Sequence, residues 1–140
     1  MVIRDDDYIR LNLISDFIED FVSPSSRARL HYLLSKPKRR REIVHYFYSD
    51  EHLDQRSLHP IAAGDQNRER IYEMMRAVGA PLTCFVLSME DEYNDEVNLK
   101  AALEECVGLC MGSILYCREA KIGYWEGHDC DRCILRRKRK

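Results

Sequence analysis

A change of hydrophobic period at Gly112 constrains this chain more than any other feature of its sequence. Before it, apolar residues recur at the three-and-four spacing of amphipathic helices, with one short apolar run between them. After it, Ser113 to Cys117, Ile122 to Trp125 and Cys133 to Leu135 are short segments rich in branched and aromatic residues, separated by turn-forming stretches. A helical stripe and a sheet face each need a partner to bury against. The sequence therefore predicts an α+β class: N-terminal helices packed on a small C-terminal mixed or antiparallel sheet, with one covering helix.

The helical half divides at its prolines. Residues 7–22 place Ile14, Phe17, Ile18, Phe21 and Val22 on one face. Ser23 and Pro24 suit the cap and first position of a second helix carrying Leu30, Leu33 and Leu34, and Pro37 can open a third that buries Ile43, Val44 and Phe47. Asp65 is placed to cap a helix with Ile71, Met74, Met75 and Val78 on its apolar side, ended by Gly79-Ala80-Pro81. Residues 82–88 read as a buried strand, and Val97 to Leu109 as the covering helix, with Cys106 and Cys110 on its stripe. One domain over 1–140 is expected: a helical part at about 7–79, a strand-helix-strand-strand-strand part at about 82–136 and a basic tail at 136–140.

With 140 residues, 45% of them apolar and 33% charged, the composition is that of a folded domain rather than a disordered or fibrous chain. No window approaches the roughly 18 uninterrupted apolar residues of a membrane span, and the first residues lack a basic-then-apolar signal, so a cytoplasmic location without a membrane partner is expected. The net charge of −2 conceals segregation: Lys36-Pro-Lys38-Arg39-Arg40-Arg41 and the tail from Arg136 are basic, whereas Asp5 to Asp7 and Glu90 to Glu96 are acidic. A helix starting at Pro37 would hold the first basic run at its positive end, which costs a few tenths of a kcal/mol. Helix stability alone does not explain that run.

Five of the six cysteines fall between positions 106 and 133. Cys106, Cys110, Cys130 and Cys133 could supply four thiolates to zinc, with His128 or Cys117 as substitutes. Against this, residues three apart on a strand face opposite ways, and a thiol on an apolar helical stripe behaves as a small hydrophobe. Reduced, mostly buried thiols and no cofactor are the expectation, with zinc as the alternative. Cys130-Asp-Arg-Cys133 lacks the strand-to-helix context of a dithiol redox site. His45, His52 and His59 with the carboxylates after Ser88 offer an inventory for metal-assisted hydrolysis, but no motif joins them. For nucleic acid, the two basic runs could meet phosphates, and Tyr46, Tyr48 or Trp125 could stack.

The segments Lys36 to Arg40, His45-Tyr-Phe47, Gly79-Ala-Pro81, Cys84 to Ser88, Ala102-Leu-Glu-Glu, Val107-Gly108, Gly112-Ser-Ile and Tyr124-Trp-Glu-Gly127, followed by Arg132 and Ile134-Leu135, resemble a group of short uncharacterised bacterial proteins over about residues 24–136. The resemblance implies one cytosolic domain and no particular activity. Two departures stand out: Arg118-Glu-Ala-Lys121 replaces a glycine turn, and Cys130 and Cys133 fall outside the pattern, whereas Cys117 is part of it. Within the pattern, the Lys/Arg run, His45, Ser88, Glu126 and Arg132 are candidates for a functional surface, with Glu126 and Arg132 expected to pair across a hairpin.

The expected function is that of a non-enzymatic binding or regulatory module whose basic surface, Lys36, Lys38, Arg39, Arg40 and Arg41, engages an acidic protein or nucleic acid. The alternative is a small metal-dependent hydrolase of nucleic acid or nucleotides that uses His45, Ser88, Glu90 and Glu126. Convergence of those four in one cleft would favour the enzyme.

Overall fold

The computed structural model describes residues 8–87 and 96–137. Along the chain run α1 (Tyr8–Phe21), α2 (Pro24–Ser35), a 3₁₀ segment (Arg40–Phe47), β1 (Leu58–Pro60), α3 (Arg68–Ala77), β2 (Thr83–Val86), β3 (Val97–Asn98), α4 (Leu99–Cys106), β4 (Ser113–Cys117), β5 (Ile122–Glu126) and β6 (Arg132–Arg136). The strands form one six-stranded sheet in the order β1-β6-β5-β4-β2-β3, and every neighbouring pair is antiparallel. This is the α+β arrangement of helices first and sheet last.

Alternation along the strands sends side chains to two separate cores. Ile114, Tyr116, Trp125, Cys133 and Leu135 meet Phe17, Ile18, Phe21, Leu30, Leu33, Ile43 and Phe47 from α1, α2 and the 3₁₀ segment. On the opposite face, Leu115, Cys117, Ile122, Tyr124 and Ile134 meet Ile71 and Met75 of α3 and Leu99, Leu103 and Cys106 of α4. Every residue of β4 and β5 is buried, as strands covered on both faces must be. α3 thus joins α4 in covering the second face.

Several boundaries differ from those expected, each for a local reason. The third helix does not begin at Pro37: Lys36 is extended, Pro37 lies in a turn, and a 3₁₀ segment starts only at Arg40. The basic run is thereby spread over a turn instead of being stacked on a positive helix end. Ser23 precedes α2 without a side-chain cap bond; its hydroxyl donates to Ser26 Oγ at 3.2 Å. Asn67 caps α3 in place of Asp65, accepting from the Arg70 N–H at 2.9 Å, while the Asp65 carboxylate takes Arg70 Nε at 3.1 Å. α4 stops at Cys106, so Cys110 leaves the apolar stripe and adopts a left-handed backbone with φ of 54°. Finally, β1 pairs with β6 as an edge strand, a place that tolerates its terminal Pro60.

Two hairpins bring the C-terminal residues together. In the β4–β5 turn, Lys121 takes φ of 54° where a glycine would be unstrained, and its Nζ reaches Asp20 Oδ1 on α1 at 3.1 Å. In the β5–β6 turn, Gly127 is enclosed: a Cβ there would lie 2.6 Å from Trp125 Cη2 and 3.0 Å from the Tyr48 carbonyl oxygen. The Gly127 N–H donates to the Asp131 carbonyl at 2.9 Å, closing the turn.

Candidate functional site

The basic run becomes a surface because of how α2 ends. The Lys36 N–H donates to the Leu33 carbonyl, the Arg39 N–H to the Lys36 carbonyl at 2.8 Å, and the Glu42 N–H to the Arg39 carbonyl at 3.0 Å, so the turn is tied down at each step. Arg29 and Tyr32 share one face of α2 at a spacing of three, and Lys36, the extended residue just past its end, lies beside the same ring. The turn then carries Arg39 back over that face. Around the Tyr32 ring lie Arg29 Cζ at 5.7 Å, Lys36 Nζ at 5.6 Å and Arg39 Cζ at 5.7 Å. Cations within about 6 Å of an aromatic centroid are attracted by its quadrupole. Tyr32 is nevertheless 46% exposed, one of the few large apolar side chains that is.

The five residues of the run do not play one role. Lys36, Lys38 and Arg41 are exposed, and Arg39 is half-buried. Arg40 turns inward instead: it is 9% exposed and donates through Nε to the Leu34 carbonyl at 2.7 Å. It therefore belongs to the support of the surface and is not available to a partner. Arg39 holds Glu42 through Nε at 2.8 Å and Nη2 at 3.3 Å, and this hydrogen bonding keeps the Glu42 carboxyl below its ordinary range and the Arg39 guanidinium above it.

A second polar centre joins β5, β6 and the segment after α4. Glu126 and Arg132 face each other in register, and Arg132 Nε donates to Glu126 Oε1 at 2.8 Å. The same carboxylate accepts from the Gly108 N–H at 2.8 Å, the Cys110 N–H at 2.6 Å and the Tyr124 hydroxyl at 2.8 Å. Burial by itself would raise the carboxyl, but the Gly108 and Cys110 N–H groups, Arg132 and Tyr124 outweigh it and hold Glu126 below its ordinary range. Burial, reinforced by the neighbouring Glu126, pushes the Tyr124 phenol up. With three donors on Oε1, one on Oε2 and no exposure to solvent, the Glu126 carboxylate anchors structure.

Arg132 also donates to Gln66 Oε1 at 2.8 Å and borders a cleft of about 550 Å³ whose wall includes Asn67, Arg68 and Gly108. Neither His45 nor Glu126 lines that cleft. His45 is exposed and its ring meets Tyr48 at 5.3 Å. Ser88 and Glu90, the remaining members of the hydrolytic set, lie outside the described residues. The described part of that set, His45 and Glu126, is not gathered around this cleft.

The cysteines are arranged in a way the spacing did not predict. Cys110 and Cys130 form a disulfide with Cα atoms 4.6 Å apart, joining the segment after α4 to the β5–β6 turn. Cys84, Cys106, Cys117 and Cys133 take part in no disulfide and are buried. This corrects the expectation that all six stay reduced, and it takes two sulfurs out of the proposed zinc set of Cys106, Cys110, Cys130 and Cys133. Burial pushes the Cys117 thiol up to about 12 and the Cys133 thiol up to about 11. Among the described residues no group of three or more His, Cys, Asp or Glu side chains is placed to hold a metal ion.

The stacking candidates also change. Trp125 is 1% exposed and its indole N–H donates to the Phe47 carbonyl at 2.8 Å. Tyr46 and Tyr48 are half-buried, their rings meeting His52 at 4.7 Å and His128 at 5.5 Å. Tyr32 is the aromatic residue that faces solvent beside the cations, and the sequence signal for it was the spacing Arg29, Tyr32, Lys36. Comparisons with protein families, curated proteins and solved structures find no match. No helix in the described residues is long and apolar enough to cross a membrane.

Proposed function

We propose that this chain is a non-enzymatic binding or regulatory module that engages an acidic partner, protein or nucleic acid, through the basic face around Lys36, Lys38, Arg39 and Arg41. One observation carries the reading: Arg29, Lys36 and Arg39 stand within 5.7 Å of the ring centre of an exposed tyrosine. Glu42 is held by Arg39 and lies in the field of Arg29, so one carboxylate offsets part of the positive charge collected here, and an anionic partner would offset more. Arg40 supports the surface from below through Leu34.

The test is retention on a polyanionic matrix under increasing salt. The native chain should be retained at low salt and elute as salt rises, and a Lys36→Ala, Lys38→Ala, Arg39→Ala, Arg41→Ala variant should flow through while keeping its far-ultraviolet circular dichroism. Equal retention of both proteins would place the binding elsewhere on the molecule and sink the proposal.

A further inference from the structure

Charge alone does not distinguish an acidic protein from a nucleic acid, but the tyrosine does. A carboxylate-rich peptide can use the cations and the Tyr32 hydroxyl, but its carboxylates bring no planar base to stack on the ring. A single-stranded nucleic acid offers both phosphates and unpaired bases, and bases stack on tyrosine rings and on guanidinium planes. Tyr32 provides the ring, Arg29 and Arg39 provide two guanidinium groups at 5.7 Å from its centre, and Lys36 provides a compact charge at 5.6 Å. We infer that the basic face binds single-stranded nucleic acid, with one base stacked at Tyr32 and the neighbouring phosphates met by Lys36, Lys38 and Arg41. This rests on the basic-face reading above and goes further by naming the partner's chemistry.

Three structural facts favour it. Tyr32 is 46% exposed even with three cations over its ring, so the residue and the guanidinium groups beside it are within reach of a ligand from solvent. The cations sit on backbone fixed by the Lys36, Arg39 and Glu42 N–H bonds, so little loop ordering opposes binding. Arg39 keeps its fork on Glu42 and stays planar and oriented, presenting a face to a base while its edge is occupied. A paired duplex keeps its base faces stacked and out of reach of the Tyr32 ring, so the single strand is the form that fits.

The test measures fluorescence anisotropy of a labelled oligothymidylate, an abasic oligonucleotide of equal length and a polyglutamate peptide, each against the native chain and against Tyr32→Ala, Tyr32→Phe and Lys36→Ala with Arg39→Ala. The oligothymidylate should bind most tightly, and Tyr32→Ala should weaken it by about 5- to 150-fold, the range of one lost stacked base. Tyr32→Phe, which keeps the ring, should restore binding to within about threefold of the native chain. Equal binding of the abasic strand, or no loss in Tyr32→Ala while the Lys36 and Arg39 variant weakens, would overturn the stacking inference and leave the basic-face reading standing. Binding of polyglutamate without binding of the oligothymidylate would overturn the nucleic-acid inference in the same limited way. Binding of none of the three would overturn both.

Discussion

Glu126 shows how one side chain can hold three parts of the molecule. Its carboxylate ties β5 to β6 through Arg132 and to the segment after α4 through the Gly108 and Cys110 N–H groups. Glu126→Gln should cost about 3 kcal/mol in urea unfolding, because it leaves Arg132 without its counter-charge in a site where Glu126 is 0% exposed. The pH dependence has a definite sign. The unfolded carboxyl titrates near about 4.3 and the folded one lower, so the stabilisation is complete above about 4.3 and is lost as pH falls through the folded value. The unfolding midpoint of the native chain should therefore fall more steeply below about pH 4 than that of Glu126→Gln. Equal pH profiles would show that the carboxylate is not held in its ionised form. At Arg40 the expectation separates support from contact. Arg40→Ala should lower stability by about 2 kcal/mol through loss of a charged hydrogen bond and of packing, whereas Arg41→Ala should change stability by less than about 0.5 kcal/mol and weaken polyanion binding instead. Thermal melts and binding isotherms of the two variants side by side would reveal the reverse pattern if Arg40 were the contact residue. That inward turn was not legible in the sequence, since five basic residues separated by one proline look alike until the turn assigns each a direction.

Among elements, legibility followed length and periodicity. α1, α3, β4 and β5 were readable because each repeats its apolar residues often enough to name a period. β1 was not: its three residues end in Pro60, and what holds them in a strand is the β6 edge, a partner 73 or more positions away in sequence. The 3₁₀ segment misled for the opposite reason, because its buried Ile43, Val44 and Phe47 follow a spacing that an α-helix would also satisfy. The disulfide was hidden by loop geometry. Cys110 and Cys130 both lie at positive φ, 54° and 66°, in turns whose course no residue spacing specifies. It closes a sequence separation of 20, so reduction or Cys130→Ser should cost about 3 kcal/mol and lower the melting temperature by roughly 10 °C. A thiol titration of the denatured protein without reductant should find four free groups; six would refute the bond. Close approach makes a further demand at Gly123, where an added Cβ would lie 2.8 Å from the Leu115 carbonyl oxygen across the β4–β5 pair. Backbone cannot move aside as a side-chain tip can, and Gly123→Ala should cost about 2 kcal/mol in equilibrium unfolding.

For the whole molecule, the sheet is the divider. Its two faces separate a core built with α1, α2 and the 3₁₀ segment from one built with α3 and α4. The basic face belongs to the first of these layers, at the end of α2, while the Glu126 centre and the disulfide stand at the β5–β6 end of the sheet. Asp20 links the layers across the first core, accepting from the Tyr116 hydroxyl at 2.6 Å and from Lys121 Nζ at 3.1 Å. Part of the site was visible in sequence as the run from Lys36 to Arg41. The tyrosine that gives the run its chemical character lies upstream and joins it only when the turn folds Arg39 back. The central claim, an anion-binding face centred on Tyr32, is tested most directly by the slope of log affinity for an oligothymidylate against log salt. With the three phosphate contacts of Lys36, Lys38 and Arg41 the slope should be about −2.1, roughly a twentyfold loss between about 50 and 200 mM salt, and it should become shallower by about 0.7 for each of the three replaced by alanine. A slope that these replacements leave unchanged would contradict the account.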